Sequence, residues 1–213
     1  MIKQLEEVRK NIELYKTVDD VVLVGVTKRQ SMDDIKKLVS LGVSNLGENR
    51  PQELRDKYDL NEVDANWHMI GRLQANKIKY VIDRCVLIHS VDDEKLMKAI
   101  NDEAFKKNKI MDILIQINPS EEESKQGVDK QGLADLVAFS KTLDNVNVVG
   151  CMCMAPLTDD KTIVNNTFAL AKQWFDDYVD FKYLSMGMSH DYILALQNGS
   201  NMLRIGSLLF LED

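Results

Sequence analysis

Two periods alternate along this chain. Short apolar runs, many of them β-branched, recur as strands buried on both faces. Between them, apolar residues return every three or four positions, as on amphipathic helices. Leu5, Val8, Ile12 and Tyr15 open the chain as a helix. Val21 to Thr27 follows as a strand and ends on Lys28. Ser31, with Asp34 in capping-box position, starts a second helix that buries Ile35, Leu38 and Val39 and closes at Gly42. Val43 to Leu46 reads as a second strand, Gly47-Glu48-Asn49 as a turn, and Pro51 as the first turn of the next helix.

The alternation continues to the end. Trp67 to Ile70 is a third strand, followed by a turn at Gly71 and a short helix through Ile78 to Ile82. Cys85 to His89 is the fourth strand. Asp92 or Asp93 then caps a helix carrying Leu96, Ala99, Ile100 and Ala104. In the fifth strand, Met111, Ile113, Ile115 and Ile117 face one way while Asp112, Leu114 and Gln116 face the other. A polar loop, Asn118 to Gly127, precedes a helix with Leu133, Leu136 and Val137. Val146 to Met152 is the sixth strand, and the next helix sets Val164, Phe168, Ala171 and Phe175 in register. Tyr183 to Met186 is the seventh strand. Ser189 caps a helix through Leu196 that Gly199 ends. Met202 to Ile205 is the eighth strand, with a last short helix starting at Gly206-Ser207.

Eight strands, each followed by a helix or the start of one, predict a single (β/α)8 TIM barrel over residues 1–213 with an extra N-terminal helix. A doubly wound open sheet is the rival. Its Gly-rich first turn is missing, since Thr27-Lys28-Arg29-Gln30 holds no glycine. No linker, low-complexity run or short repeat divides the chain.

Charge narrows the function classes. Lys plus Arg number 27 and Asp plus Glu 34, a net charge of −7. That excess argues against non-specific nucleic-acid binding and offers no polybasic membrane patch. No apolar run is long enough to span a bilayer, and the charged N-terminus is no signal peptide. Cys85, Cys151 and Cys153 make no disulfide framework, so a reducing cytoplasmic location is expected. Cys151 and Cys153 share a strand face, but nothing completes a metal ligand set around them, and none is expected.

In a barrel, every strand-to-helix loop lies on one face, where function resides. Lys28, Asn49, His68, His89, Asn118, Met186 to Ser189 and Arg204 to Ser207 all fall at such positions. The last two groups, Ser185-Met186-Gly187-Met188-Ser189 and Arg204-Ile205-Gly206-Ser207, follow strands seven and eight, where barrels frequently bind phosphate. Barrel closure brings strand eight beside strand one. A lysine and a phosphate site around one ligand suggest a phosphorylated carbonyl compound held as a Schiff base. Pyridoxal 5′-phosphate fits, and so does a phosphorylated sugar in a Schiff-base aldolase. Arg204 favours the former, because arginine is a known partner of the pyridine nitrogen.

With these residues in view, the chain closely resembles the pyridoxal-phosphate homeostasis proteins, which are similar to the barrel domain of alanine racemase. The likeness is carried by Val24-Gly25-Val26-Thr27-Lys28, Leu46-Gly47-Glu48-Asn49 with Gln52-Glu53, and Trp67-His68-Met69-Ile70-Gly71 with Leu73-Gln74 and Asn76-Lys77. It continues in His89-Ser90-Val91-Asp92, Gln116-Ile117-Asn118, Glu122-Glu123-Ser124-Lys125 with Gly127, Leu184 to Ser189 and Arg204 to Ser207. The resemblance implies that Lys28 carries the Schiff base and that Ser189, Gly206 and Ser207 hold the phosphate. It further implies that Arg204 meets the ring nitrogen, Asn49 the ring's polar edge, and that Ser185 and Met186 line the pocket, with His68 at its floor or wall. The chain departs from the family at Asn118-Pro119-Ser120-Glu121, at His190 and at Leu208-Leu209-Phe210, none of which is among those contacts.

Racemisation needs a base on each face of the bound amino acid, and in alanine racemase the second comes from a partner whose β-rich domain this chain is expected to lack. Arginine at the ring nitrogen also weakens the ring as an electron sink. The expectation is therefore a non-catalytic carrier of pyridoxal phosphate acting in vitamin B6 and amino-acid homeostasis. It is expected to be a monomer with the cofactor and its user apo-enzymes as partners. A racemase of the alanine racemase type is the alternative.

Overall fold

The computed structural model describes residues 1–120 and 126–210. The Glu121 to Lys125 part of the polar loop, and the chain's last three residues, lie outside them.

Eight parallel strands close into a barrel in sequence order. They are β1 (Val22–Val26), β2 (Asn45–Glu48), β3 (Asn66–Met69), β4 (Cys85–Val91), β5 (Met111–Ile117), β6 (Val146–Cys153), β7 (Tyr183–Ser185) and β8 (Met202–Ile205). Closure is made by β1 against β8, in register from Val22 opposite Met202 to Gly25 opposite Ile205. The helices are α1 (Ile2–Tyr15), α2 (Met32–Ser40), α3 (Pro51–Asp59), α4 (Glu94–Lys106), α5 (Lys130–Ser140), α6 (Lys161–Asp176) and α7 (Tyr192–Gln197). A 3-10 helix, Ala75–Tyr80, stands where a helix through Ile78 to Ile82 is predicted.

Strand alternation divides the apolar residues into two cores. Val24, Leu87, Leu114, Val149, Met152 and Met202 fill the barrel. A larger shell, including Met111, Ile113, Ile115 and Ile117, packs against the helices. The fifth strand thus faces as its alternation predicts. On α6 the shell takes Trp174, while Phe175 is only partly buried.

After β8 the described chain makes a turn through Phe210 rather than a helix, with Leu209 N–H bonding to the Gly206 carbonyl. The wall there is covered by α1. Its Leu5, Val8 and Ile12 are buried, and Asn11 donates to the Tyr192 hydroxyl of α7 at 2.7 Å. On its other flank Arg9 donates to the Leu41 carbonyl that ends α2. The N-terminal helix therefore stands between α7 and α2, in the place of an eighth outer helix.

Several boundaries move. β2 runs on through Glu48, so Gly47-Glu48 is strand rather than turn. β4 extends to Val91 and β6 to Cys153. Asp93 is the residue that caps α4, its carboxylate accepting from Leu96 N–H at 2.6 Å. Ser189 does not cap α7. That helix starts after Asp191, whose carboxylate accepts from Met188 N–H at 2.6 Å.

Candidate functional site

The C-terminal ends of the strands form one rim. Val22 and Val24 point into the barrel, and β1 ends at Val26, two residues before Lys28. Lys28 is exposed just past the end of β1. Among the described residues it makes no hydrogen bond or ion pair, so its amine is free to react.

Beside it stand the corners after β7 and β8. Arg204 N–H bonds to the Gly187 carbonyl at 3.0 Å, tying one corner to the other. Ser189 Oγ accepts from the backbone N–H of Gly206 at 3.4 Å and of Leu208 at 3.3 Å. These are long bonds, and the same N–H groups converge on a spot where an anion's oxygens would be better acceptors. Gly206 also packs hard against β1, since a Cβ there would lie 3.1 Å from Val26 Cβ. Gly187 has φ +95°, a backbone that side chains rarely adopt. Ser207 is exposed on the turn.

Beneath the rim lies a buried polar layer that crosses the barrel. Arg204 is 4 % exposed. It donates from Nη1 to Ser185 Oγ at 2.6 Å and from Nη2 to the Cys153 carbonyl at 3.0 Å. His89 Nδ1 lies 3.1 Å from Ser185 Oγ, and His89 Nε2 lies 3.0 Å from His68 Nδ1. His68 Nε2 lies 3.1 Å from Asn45 Oδ1. Asn45 Oδ1 can only accept, so His68 carries its proton on Nε2. Its Nδ1 then accepts from His89, and His89 Nδ1 accepts from the Ser185 hydroxyl, whose oxygen accepts from Arg204. Every dipole in the row turns its negative end toward the guanidinium.

This arrangement works only with neutral histidines, and burial enforces that. Desolvation holds His68 down to about 4. His89 is pushed well below its ordinary value, by burial first and then by His68 and the Arg204 guanidinium near it. Burial also lowers Arg204 to about 10, which leaves it a cation at neutral pH.

Most of the residues singled out in the sequence therefore fall into two groups. Lys28 follows β1 and Gly206-Ser207 follow its neighbour β8, while Ser189 reaches Gly206 from the corner after β7. Ser185, Arg204 and His68 form the layer below, and both ring nitrogens of His68 are already partnered. Asn49 is partly buried just past β2. Met186 alone turns away, its side chain buried in the helix-facing shell. Asn45, Cys153 and Asp191 were not visible as site residues. His89 was visible only as a polar residue at a strand end. Its alternation with Leu87, an interior residue, is the signal that it points into the barrel.

The alanine racemase N-terminal domain model matches residues 4–213. Curated relatives include a pyridoxal phosphate homeostasis protein of Aquifex aeolicus, 39 % identical over 196 residues, covering 89 % of this chain and 86 % of that one. A protein of the same name from Helicobacter pylori is 37 % identical over 195 residues, covering 90 % and 88 %. Among solved structures, PipY of Synechococcus elongatus with PLP bound superposes with a TM-score of 0.87 at 27 % identity, covering 98 % of this chain and 99 % of that one. Alanine racemase of Clostridium difficile shares the fold, with a TM-score of 0.80 at 15 % identity over 99 % of this chain and 57 % of its own. The chain belongs to the alanine racemase N-terminal domain family, among its pyridoxal phosphate homeostasis proteins.

Proposed function

We propose that this protein binds pyridoxal 5′-phosphate, holds it as a Schiff base on Lys28, and passes it to apo-enzymes rather than turning over amino acids with it. One observation carries the reading. An unpaired lysine, two serine–glycine corners and a buried arginine belong to the ends of the neighbouring strands β7, β8 and β1. These groups match the cofactor's three handles: an aldehyde, an anionic tail and a ring nitrogen that accepts.

The cofactor supplies the aldehyde that joins the lysine and a ring able to accept electrons. The chain does the rest. Ser189, Gly206 and Ser207 would grip the phosphate through N–H and hydroxyl donors, and Asn49 would flank the ring. Arg204 would donate to the ring nitrogen and keep it unprotonated, which makes the ring a poor sink for a carbanion. His68 and His89 are bound to each other and have no free nitrogen to act as a second base. The relatives' name, and PLP bound in PipY, support the same reading.

The test is an absorption spectrum before and after borohydride, with peptide mapping of the product. A yellow protein whose reduced adduct maps to Lys28 is expected. Incubation with each L-amino acid, followed by optical rotation, should show no efficient loss. Turnover there would overthrow the carrier role, and an adduct on another residue would overthrow the attachment.

A further inference from the structure

Outside the mouth, on the helix-facing side of the barrel wall, lies a buried charge that the reading above does not use. Glu48 is fully buried at the end of β2. Its Oε1 accepts from the Thr27 hydroxyl at 2.7 Å and from Lys57 Nζ of α3 at 2.6 Å. Its Oε2 has no partner among the described residues. Lys57 Nζ also donates to the Thr27 carbonyl at 2.7 Å.

Two of these bonds converge on Thr27, the residue immediately before Lys28. The Thr27 carbonyl accepts again from Gln30 N–H at 3.0 Å, closing a turn around Lys28. Within that turn Arg29 has φ +64°, a backbone that a residue with a side chain adopts only when its surroundings impose it. Thr27 is completely buried. The backbone is therefore fixed on both sides of a lysine whose own side chain makes no hydrogen bond or ion pair among the described residues.

A buried ion pair with one unsatisfied oxygen is a poor source of stability. An apolar pair of the same volume commonly does as well. A role in placing something explains its presence better, and what it places is the turn carrying the amine. We infer that Glu48 and Lys57 are positioning residues for Lys28, setting its amine for attack on the cofactor's aldehyde without touching the cofactor. The inference rests on the reading that Lys28 is the attachment point. In that reaction the amine nitrogen bonds to the aldehyde carbon, and the aldehyde oxygen leaves as water with the two protons the neutral amine gives up.

Two ligands separate placement from general damage. Pyridoxal phosphate needs the amine, whereas pyridoxine 5′-phosphate has an alcohol in place of the aldehyde and needs only the phosphate and ring contacts. Lys57→Met should slow Schiff-base formation with pyridoxal phosphate by about 10- to 100-fold, the cost of a misplacement of the order of 1 Å. Affinity for pyridoxine phosphate should stay within about twofold, because the corners and the buried layer are untouched. Lys57→Met leaves a buried carboxylate unpaired, so Lys57→Met combined with Glu48→Gln removes both charges and should show the same split if the single variant folds poorly. Equal rates in variant and wild type overturn the inference, and so does an equal loss for both ligands. An adduct missing from Lys28 in the wild type overturns the attachment as well, which tells the two failures apart.

Discussion

At the scale of single residues, the buried layer makes pH a probe of the site. His68 is neutral when folded and titrates near 4, against an ordinary value of 6.5. Between those values the unfolded chain binds a proton that the folded one refuses. Stability therefore falls as pH drops through this window, and the contribution is gone below about 4. A shift from 6.5 to about 4 is worth about 3 kcal/mol. Burial raises Glu48, Asp92 and Asp191, which act with the opposite sign. Those groups stay in place in His68→Gln and cancel when the variant is compared with the wild type. His68→Gln should be the less stable protein at pH 7, with the gap narrowing by about 3 kcal/mol on going to pH 4. Urea unfolding across this range measures it, and a gap that does not change with pH would contradict the neutral His68–His89 pair.

At the scale of elements, α1 carries a duty that helical period alone did not reveal. It completes the outer ring where the described chain after β8 offers only a turn. Leu5 is 2 % exposed at its buried face, and Leu14 is 63 % exposed on the other. Leu5→Ala should cost about 2–5 kcal/mol in urea unfolding. Leu14→Ala should stay within about 0.5 kcal/mol. Similar costs for the two would mean that α1 does not seal the wall. Most elements were legible because apolar runs and helical stripes have different periods, and eight repeats of the pair leave little choice of fold. The edges were less so. Gly47-Glu48 reads as a turn because Gly and Glu are rare in strands, but Glu48 is held there by Lys57 and Thr27, far apart in sequence. Ser189 looks like a helix cap by composition, but its hydroxyl serves Gly206 and Leu208 in the corner after the next strand. Local chemistry marks which residues are polar. Their partners lie on the neighbouring strand or helix, which no local window contains.

At the scale of the whole molecule, the rim spans the join between the two ends of the chain. Lys28 follows β1 and Gly206 follows β8, the pair that closes the barrel. A ligand attached to one and gripped by the other ties together strands that are adjacent in space and farthest apart in sequence. Binding to the folded state alone adds about 2.7 kcal/mol of stability at a hundredfold excess over Kd. For a domain of this size that corresponds to a rise in Tm of roughly 5–10 °C. Pyridoxal phosphate at that excess should produce it. At the same ligand concentration Ser189→Ala should show a smaller rise, since its hydroxyl knits the two corners together. Inorganic phosphate separates the anion's share from the rest, because it reaches the corners but not Lys28 or Arg204. If phosphate alone reproduced the full shift, ring and aldehyde would have no part in the grip. If pyridoxal phosphate produced no shift, the seam would not be where the ligand sits.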